Sequence, residues 1–179
     1  MDGAVESCRH RISEFLAAAR DFGGFGYDVY WALEQPYPLA LESELSCVWP
    51  VYEALADHER ESLRVSFDYG DMMLLFAYAA RMATFAVRQR DSKYLRHALL
   101  AVSVGREDID YRDAAITRVL LIDAARRLDA VGLFAEVAPQ ASASMQSFFR
   151  DADYESRALQ SMGFIVTEDT GDGFRYRKV

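Results

Sequence analysis

Between Asp71 and Gln89, Leu74, Leu75, Tyr78, Met82 and Phe85 recur at three- and four-residue steps, a spacing that an α-helix turns into one continuous apolar face. No other segment limits the fold as strongly, because a face of that length must be covered by other elements. Similar spacing recurs along the chain. Residues Ala4 to Asp21 read as a helix with Val5, Ile12, Phe15, Leu16 and Ala19 on one stripe, ended by Gly23, Gly24 and Gly26. Further helices are expected from Pro50 to about Arg64, from Ser92 to Val104 with Gly105 as the stop, and from Tyr111 to Leu128. Shorter ones are expected over Ala130 to Ala138 and Ser142 to Met162, separated by Pro139. Asp68 or Asp71 can cap the long helix, and Asp91 or Ser92 the next.

The final residues follow a different pattern. Phe164 to Thr167 and Phe174 to Arg177 flank Asp169-Thr-Gly-Asp-Gly173, which reads as a β-hairpin whose glycines supply the turn. The expected fold is mainly α: a single helical domain over residues 1–179, with 163–178 as a hairpin packed on it through Phe164, Val166, Phe174 and Tyr176. Two helical architectures fit. Leu74 to Arg81 echoes Val119 to Arg126 at a separation of 45 residues, a period found in HEAT-like helical arrays; a compact helical bundle is the other.

Charge is unevenly placed along the chain. The formal net charge is −8, and residues 21–62 carry it: Asp21, Asp28, Glu34, Glu42, Glu44, Glu53, Asp57, Glu59 and Glu61 face a single base, Arg60. The same stretch holds Tyr30, Trp31, Trp49 and Tyr52. An acidic, aromatic surface suits a basic protein partner, since complementary charge speeds encounter and buried aromatics supply affinity. The expected interaction residues are therefore Tyr30, Trp31, Glu42, Glu44, Trp49, Tyr52, Glu53, Asp57 and Glu59. One concrete form is an immunity-type inhibitor that neutralises a cationic toxin. Homodimerisation through the aromatics is a further option. The alternative is a small-ligand receptor or enzyme with an aromatic cleft beside the long helix, using Asp28, Tyr30, Glu34, His58 or Asp68.

Several classes are disfavoured. An acidic chain lacks the lysines and arginines that neutralise phosphates, so no nucleic acid is expected as a partner. The apolar run from Met72 to Val87 is interrupted by Arg81 and is read as too short for a bilayer. The first twenty residues carry Asp2, Glu6 and Glu14 rather than a basic start and apolar core, and Cys8 and Cys47 are the only cysteines, so a cytoplasmic location is expected. His10, His58 and His97 lack metal-ligand spacing, which leaves no metal or other cofactor indicated. Glu107, Asp108, Asp110 and Asp113 read as capping acids before a helix. No nucleophile or phosphate-loop motif is present.

Two local resemblances attach to the C-terminus. Ala158-Leu-Gln-Ser-Met-Gly-Phe164 before a hairpin resembles the end of GNAT-type acetyltransferases, although the acyl-coenzyme A loop has no match upstream. The same order is similar to the wing of a winged-helix domain, with Arg175, Arg177 and Lys178 placed to touch phosphate, but the preceding helix carries Asp151, Asp153 and Glu155. A structural hairpin covering the helices accounts for both.

Overall fold

The computed structural model describes residues 3–21, 45–105, 111–161, 165–170 and 173–178. Within these lie helices α1 (Gly3–Asp21), α2 (Trp49–Ala54), α3 (Asp57–Arg64), α4 (Tyr69–Gln89), α5 (Ser92–Ser103), α6 (Tyr111–Arg127), α7 (Leu133–Val137), α8 (Gln146–Arg150) and α9 (Ala152–Ser161). Two short 3-10 turns, Ala138–Gln140 and Ala143–Met145, join α7 to α8. Strands β1 (Ile165–Thr170) and β2 (Gly173–Lys178) pair antiparallel, from Ile165 opposite Lys178 to Thr170 opposite Gly173.

Helix α4 is the centre of the molecule. It begins at a reciprocal cap, in which the Asp71 amide donates to Asp68 Oδ1 at 2.8 Å and the Asp68 amide donates to Asp71 Oδ2 at 3.0 Å. Every residue from Met72 to Ala80 is buried, followed by Met82, Ala83 and Ala86. The stripe read from the sequence is thus only part of the buried surface, and the helix is enclosed on all sides for half its length. By length and composition it could cross a membrane, but most of it lies inside the protein's own core. Helices α5 and α6 pack along it, α1 and strand β2 also touch it, and α9 rests on α6.

That arrangement corrects the fold class expected from the sequence. In a HEAT-like array each repeat meets only its neighbours in sequence. Here α4 meets α1 from one end of the chain and β2 from the other, so the protein is a helical bundle wrapped around one helix and not an array. The echo between Leu74–Arg81 and Val119–Arg126 marks two long helices that pack together, not two rungs of a ladder. The turn also differs: Asp169, Thr170 and Gly173 belong to the paired strands, which leaves only positions 171 and 172 between them. Of the hairpin residues expected to face the helices, Phe164 lies outside the described residues, and Val166, Phe174 and Tyr176 are described in their backbone alone.

The expected single helix from Pro50 to Arg64 is in fact two. Leu55 and Ala56 are extended, with ψ of 150° and 159°, because both sides of the break are satisfied by side chains. Glu59 Oε1 accepts from the Ala56 amide at 2.8 Å, and Arg60 reaches back to the carbonyls that α2 leaves open. Farther along, the stretch expected to be helical from Ser142 to Met162 breaks at Asp151 into α8 and α9.

Candidate functional site

The corner built by α2 and α3 is where the charge pattern acquires a shape. Helix α3 has the sequence Asp-His-Glu-Arg-Glu-Ser-Leu-Arg, with acids and bases nearly balanced. The fold sets them at different depths while keeping them paired, Arg60 with Asp57 and Arg64 with Glu61. The Arg60 and Arg64 side chains are only 8% and 4% exposed, whereas those of Asp57 and Glu61 are 91% and 59% exposed. Positions 57, 61 and 65 stack along one helical row, so Asp57, Glu61 and the exposed Val65 share an outward face.

The inward arginines are held by backbone carbonyls and by one phenol. Arg60 Nη1 donates to the carbonyls of Glu53 at 3.3 Å and of Leu55, while its Nη2 pairs with Asp57 Oδ1 at 2.5 Å. Arg64 Nε donates to the Ser103 carbonyl at 3.2 Å, its Nη1 to Glu61 Oε2 at 3.1 Å, and its Nη2 to the Tyr52 hydroxyl at 3.3 Å and to the Gln140 carbonyl. The Tyr52 hydroxyl also accepts from Ser103 Oγ at 3.0 Å and donates to the Gln140 carbonyl at 3.2 Å. Burial pushes the Tyr52 phenol above its ordinary pKa, partly opposed by the nearby Arg64 guanidinium, so it stays a neutral donor here. The cluster joins α2, α3, α5 and the first 3-10 turn. It is a structural knot, with every hydroxyl engaged and no reacting group presented to solvent.

Trp49 and Tyr52, expected as interface anchors, are instead core residues at 1% and 0% exposure, packed edge to face with ring centroids 5.9 Å apart. The Tyr52 hydroxyl is satisfied at this depth, whereas the buried Trp49 Nε1 has no hydrogen-bond partner among the described residues, so its burial rests on the apolar area of the ring. Glu53 is a tie as well as a surface acid: Arg96 on α5 donates to it at 2.7 Å and to Glu136 on α7 at 2.9 Å, and the Glu53 hydrogen bond raises the Arg96 pKa. Glu59 is half-buried and caps α3, and Asp57 is exposed. Tyr30, Trp31, Glu42 and Glu44 lie outside the described residues. So do Asp28 and Glu34 of the alternative cleft, while His58 sits on the exposed face of α3 and Asp68 is engaged as the cap of α4.

Among the described residues no group of three or more histidine, cysteine, aspartate or glutamate side chains could hold a metal ion. The run Glu107, Asp108, Asp110 and Asp113 lies outside the residues whose side chains are described. A feature not signalled by the sequence is a groove of about 490 Å³ between α6, α7, α8 and α9, walled by Ile122, Phe134, Pro139 and Phe149, with Arg150 and Asp153 as its charged members. Asp153 accepts from both Arg126 and Arg157, and the Arg126 hydrogen bond is the chief cause holding its carboxyl below the usual range. The groove arises from residues spread over 122 to 153, and no short motif could have announced it.

Compared with protein-family models, curated proteins and solved structures, the chain finds no match.

Proposed function

We propose that this protein is a non-enzymatic interaction module that receives a basic protein partner on the acidic face of α3. What supports the reading most is the depth of the charges on that helix: Arg60 and Arg64 are buried, and the carboxylates paired with them, Asp57 and Glu61, stand outward in one row and remain exposed to a partner. The aromatic part of the expectation changes role. Trp49 and Tyr52 hold α2 and α3 in place behind the face, and Val65 and Tyr69, both exposed, supply the apolar contacts beside it. A cationic partner would be steered by the carboxylates and would exchange water for them on docking. An immunity-type inhibitor of a cationic toxin is one protein of this kind.

The test is capture from native lysate at two salt concentrations, comparing the wild type with a Asp57→Asn, Glu61→Gln double variant whose melting temperature is checked. The wild type is expected to retain a basic protein at low salt and release it as salt rises, because exposed pairs are screened over about 10 Å at 0.1 M. The variant should retain several-fold less. Equal retention by both proteins removes this reading.

The groove favours a second reading, a small-ligand receptor. Its volume lies within the range of about 300–1,000 Å³ usual for ligand sites, and its walls are mostly apolar. Medium-chain carboxylates, with Arg150 as the head-group contact, are the probe, and a saturable rise in melting temperature is the outcome that would carry it.

A further inference from the structure

Cys8 and Cys47 are 39 positions apart in sequence, yet they line one small cavity of about 280 Å³, together with Ser7, Arg11, Val48 and Val51. Both are thiols, Cys8 buried on the inner face of α1 and Cys47 exposed just before α2. Helix α1 packs on α2, so the cavity sits in a seam that is already formed. An exposed sulfur and a buried sulfur bordering one space is the arrangement of an attacking thiol and a resolving thiol.

We propose that Cys8 and Cys47 form a reversible thiol–disulfide site whose co-substrate is a low-molecular-weight disulfide. In the first step the Cys47 thiolate attacks one sulfur of that disulfide, forming a mixed disulfide on Cys47 and expelling one small thiolate. In the second step the Cys8 sulfur, after losing its proton to solvent, attacks the Cys47 sulfur, forming the Cys8–Cys47 bond and expelling the second small thiolate. The two cysteines are oxidised by two electrons and the small disulfide is reduced to two thiols, so the exchange balances. Burial pushes the Cys8 thiol up to about 11, with the Arg11 charge pulling the other way, which makes the second step the slower one. The bond would close a long loop, residues 8 to 47, and staple α1 to the segment that leads into α2. This site is independent of the partner face on α3.

The experiment incubates the full chain with glutathione disulfide and follows it by intact mass and by peptide mapping without reduction. Expected for the wild type is a transient glutathione adduct on Cys47, then loss of two hydrogens relative to the reduced chain, a Cys8–Cys47 cross-linked peptide, and a melting temperature several degrees higher. Cys8→Ser should stop at the stable adduct on Cys47. Because that variant alters a buried position, the wild-type peptide map stands as the primary reading. A stable adduct on wild-type Cys47 with no internal bridge, a disulfide between two chains, or no reaction at all overturns the proposal.

Discussion

At the scale of single residues, Tyr52 carries more of the structure than its position suggests. Its ring fills the core against Trp49, and its hydroxyl is the shared partner of Arg64, Ser103 and the Gln140 carbonyl. Removing only the oxygen leaves the ring in place but takes one acceptor from the buried Arg64 guanidinium and one donor from the part-buried Gln140 carbonyl, which keep each other as partners. Tyr52→Phe should therefore cost about 1–3 kcal/mol, the net worth of hydrogen bonds of which one is made to a charged group, measured by urea denaturation. The sign of its pH dependence follows from the raised pKa. A phenol that ionises later when folded than when unfolded contributes stability that is present below its ordinary value of 10.0 and is lost as pH rises through the folded value. The wild type should lose stability above about pH 10 more steeply than Tyr52→Phe, and parallel curves would show that the phenol is not so constrained. Gly105 is constrained for a different reason: a Cβ there would lie 2.9 Å from both Phe76 Cε2 and the Val102 carbonyl oxygen, so the glycine is required by close approach to the central helix.

At the scale of elements, helix ends decide how the bundle turns. Both α4 and α6 end in the same motif. After α4 the Asp91 amide donates to Ala86 at 3.1 Å and the Arg90 amide to Val87 at 3.1 Å; after α6 the Ala130 amide donates to Ala125 at 2.7 Å and the Asp129 amide to Arg126 at 3.2 Å. In each, a residue one or two positions past the helix is left-handed, Arg90 at φ 55° and Asp129 at φ 52°, a conformation that glycine adopts without strain. Both side chains are exposed, so little contact is lost on replacing them. Arg90→Gly should stabilise the protein by about 0.5–1 kcal/mol, the relief of left-handed strain less the added freedom of the unfolded chain. Asp129→Gly should gain less, because aspartate tolerates this region better. Thermal melts of the two variants check the order, and a destabilised Arg90→Gly would contradict it. These ends also mark the limit of what the sequence discloses. Apolar spacing locates α1, α5 and α6 to within a residue or two, because period and caps are local. The break between α2 and α3 is not local in that sense: the Arg60 side chain folds back over α2, and nothing in the spacing says so. The acids of the proposed partner face are visible in the sequence, but which charges remain outside is set by the burial of Arg60 and Arg64. Aromatics with polar tips suit a surface or a core equally, and the Tyr52 network resolves that choice only in three dimensions.

At the scale of the whole molecule, the enclosure of α4 has a consequence for unfolding. Because α4 is covered by α1, α5, α6 and β2, neither end of the chain can leave without exposing the same buried surface. A solenoid would allow its ends to unravel separately, since each repeat depends only on adjacent ones. A bundle of this size around one shared helix should instead unfold in a single cooperative step. Two probes sample different parts of it. In a Trp31→Phe variant tryptophan fluorescence reports on Trp49 alone, buried beside Tyr52 on the α1–α2 side, whereas far-ultraviolet circular dichroism is dominated by α4, α5 and α6. Their urea midpoints should coincide, and destabilising the knot through Tyr52→Phe should move both by the same amount. If fluorescence changed at lower urea than the helical signal, α2 and α3 would be a separately melting unit, and their acidic face would be presented by a mobile corner and not by a fixed one. Coincident midpoints would mean that the face is held by the full stability of the core, so the partner we propose would meet it already ordered and lose little affinity to arranging it.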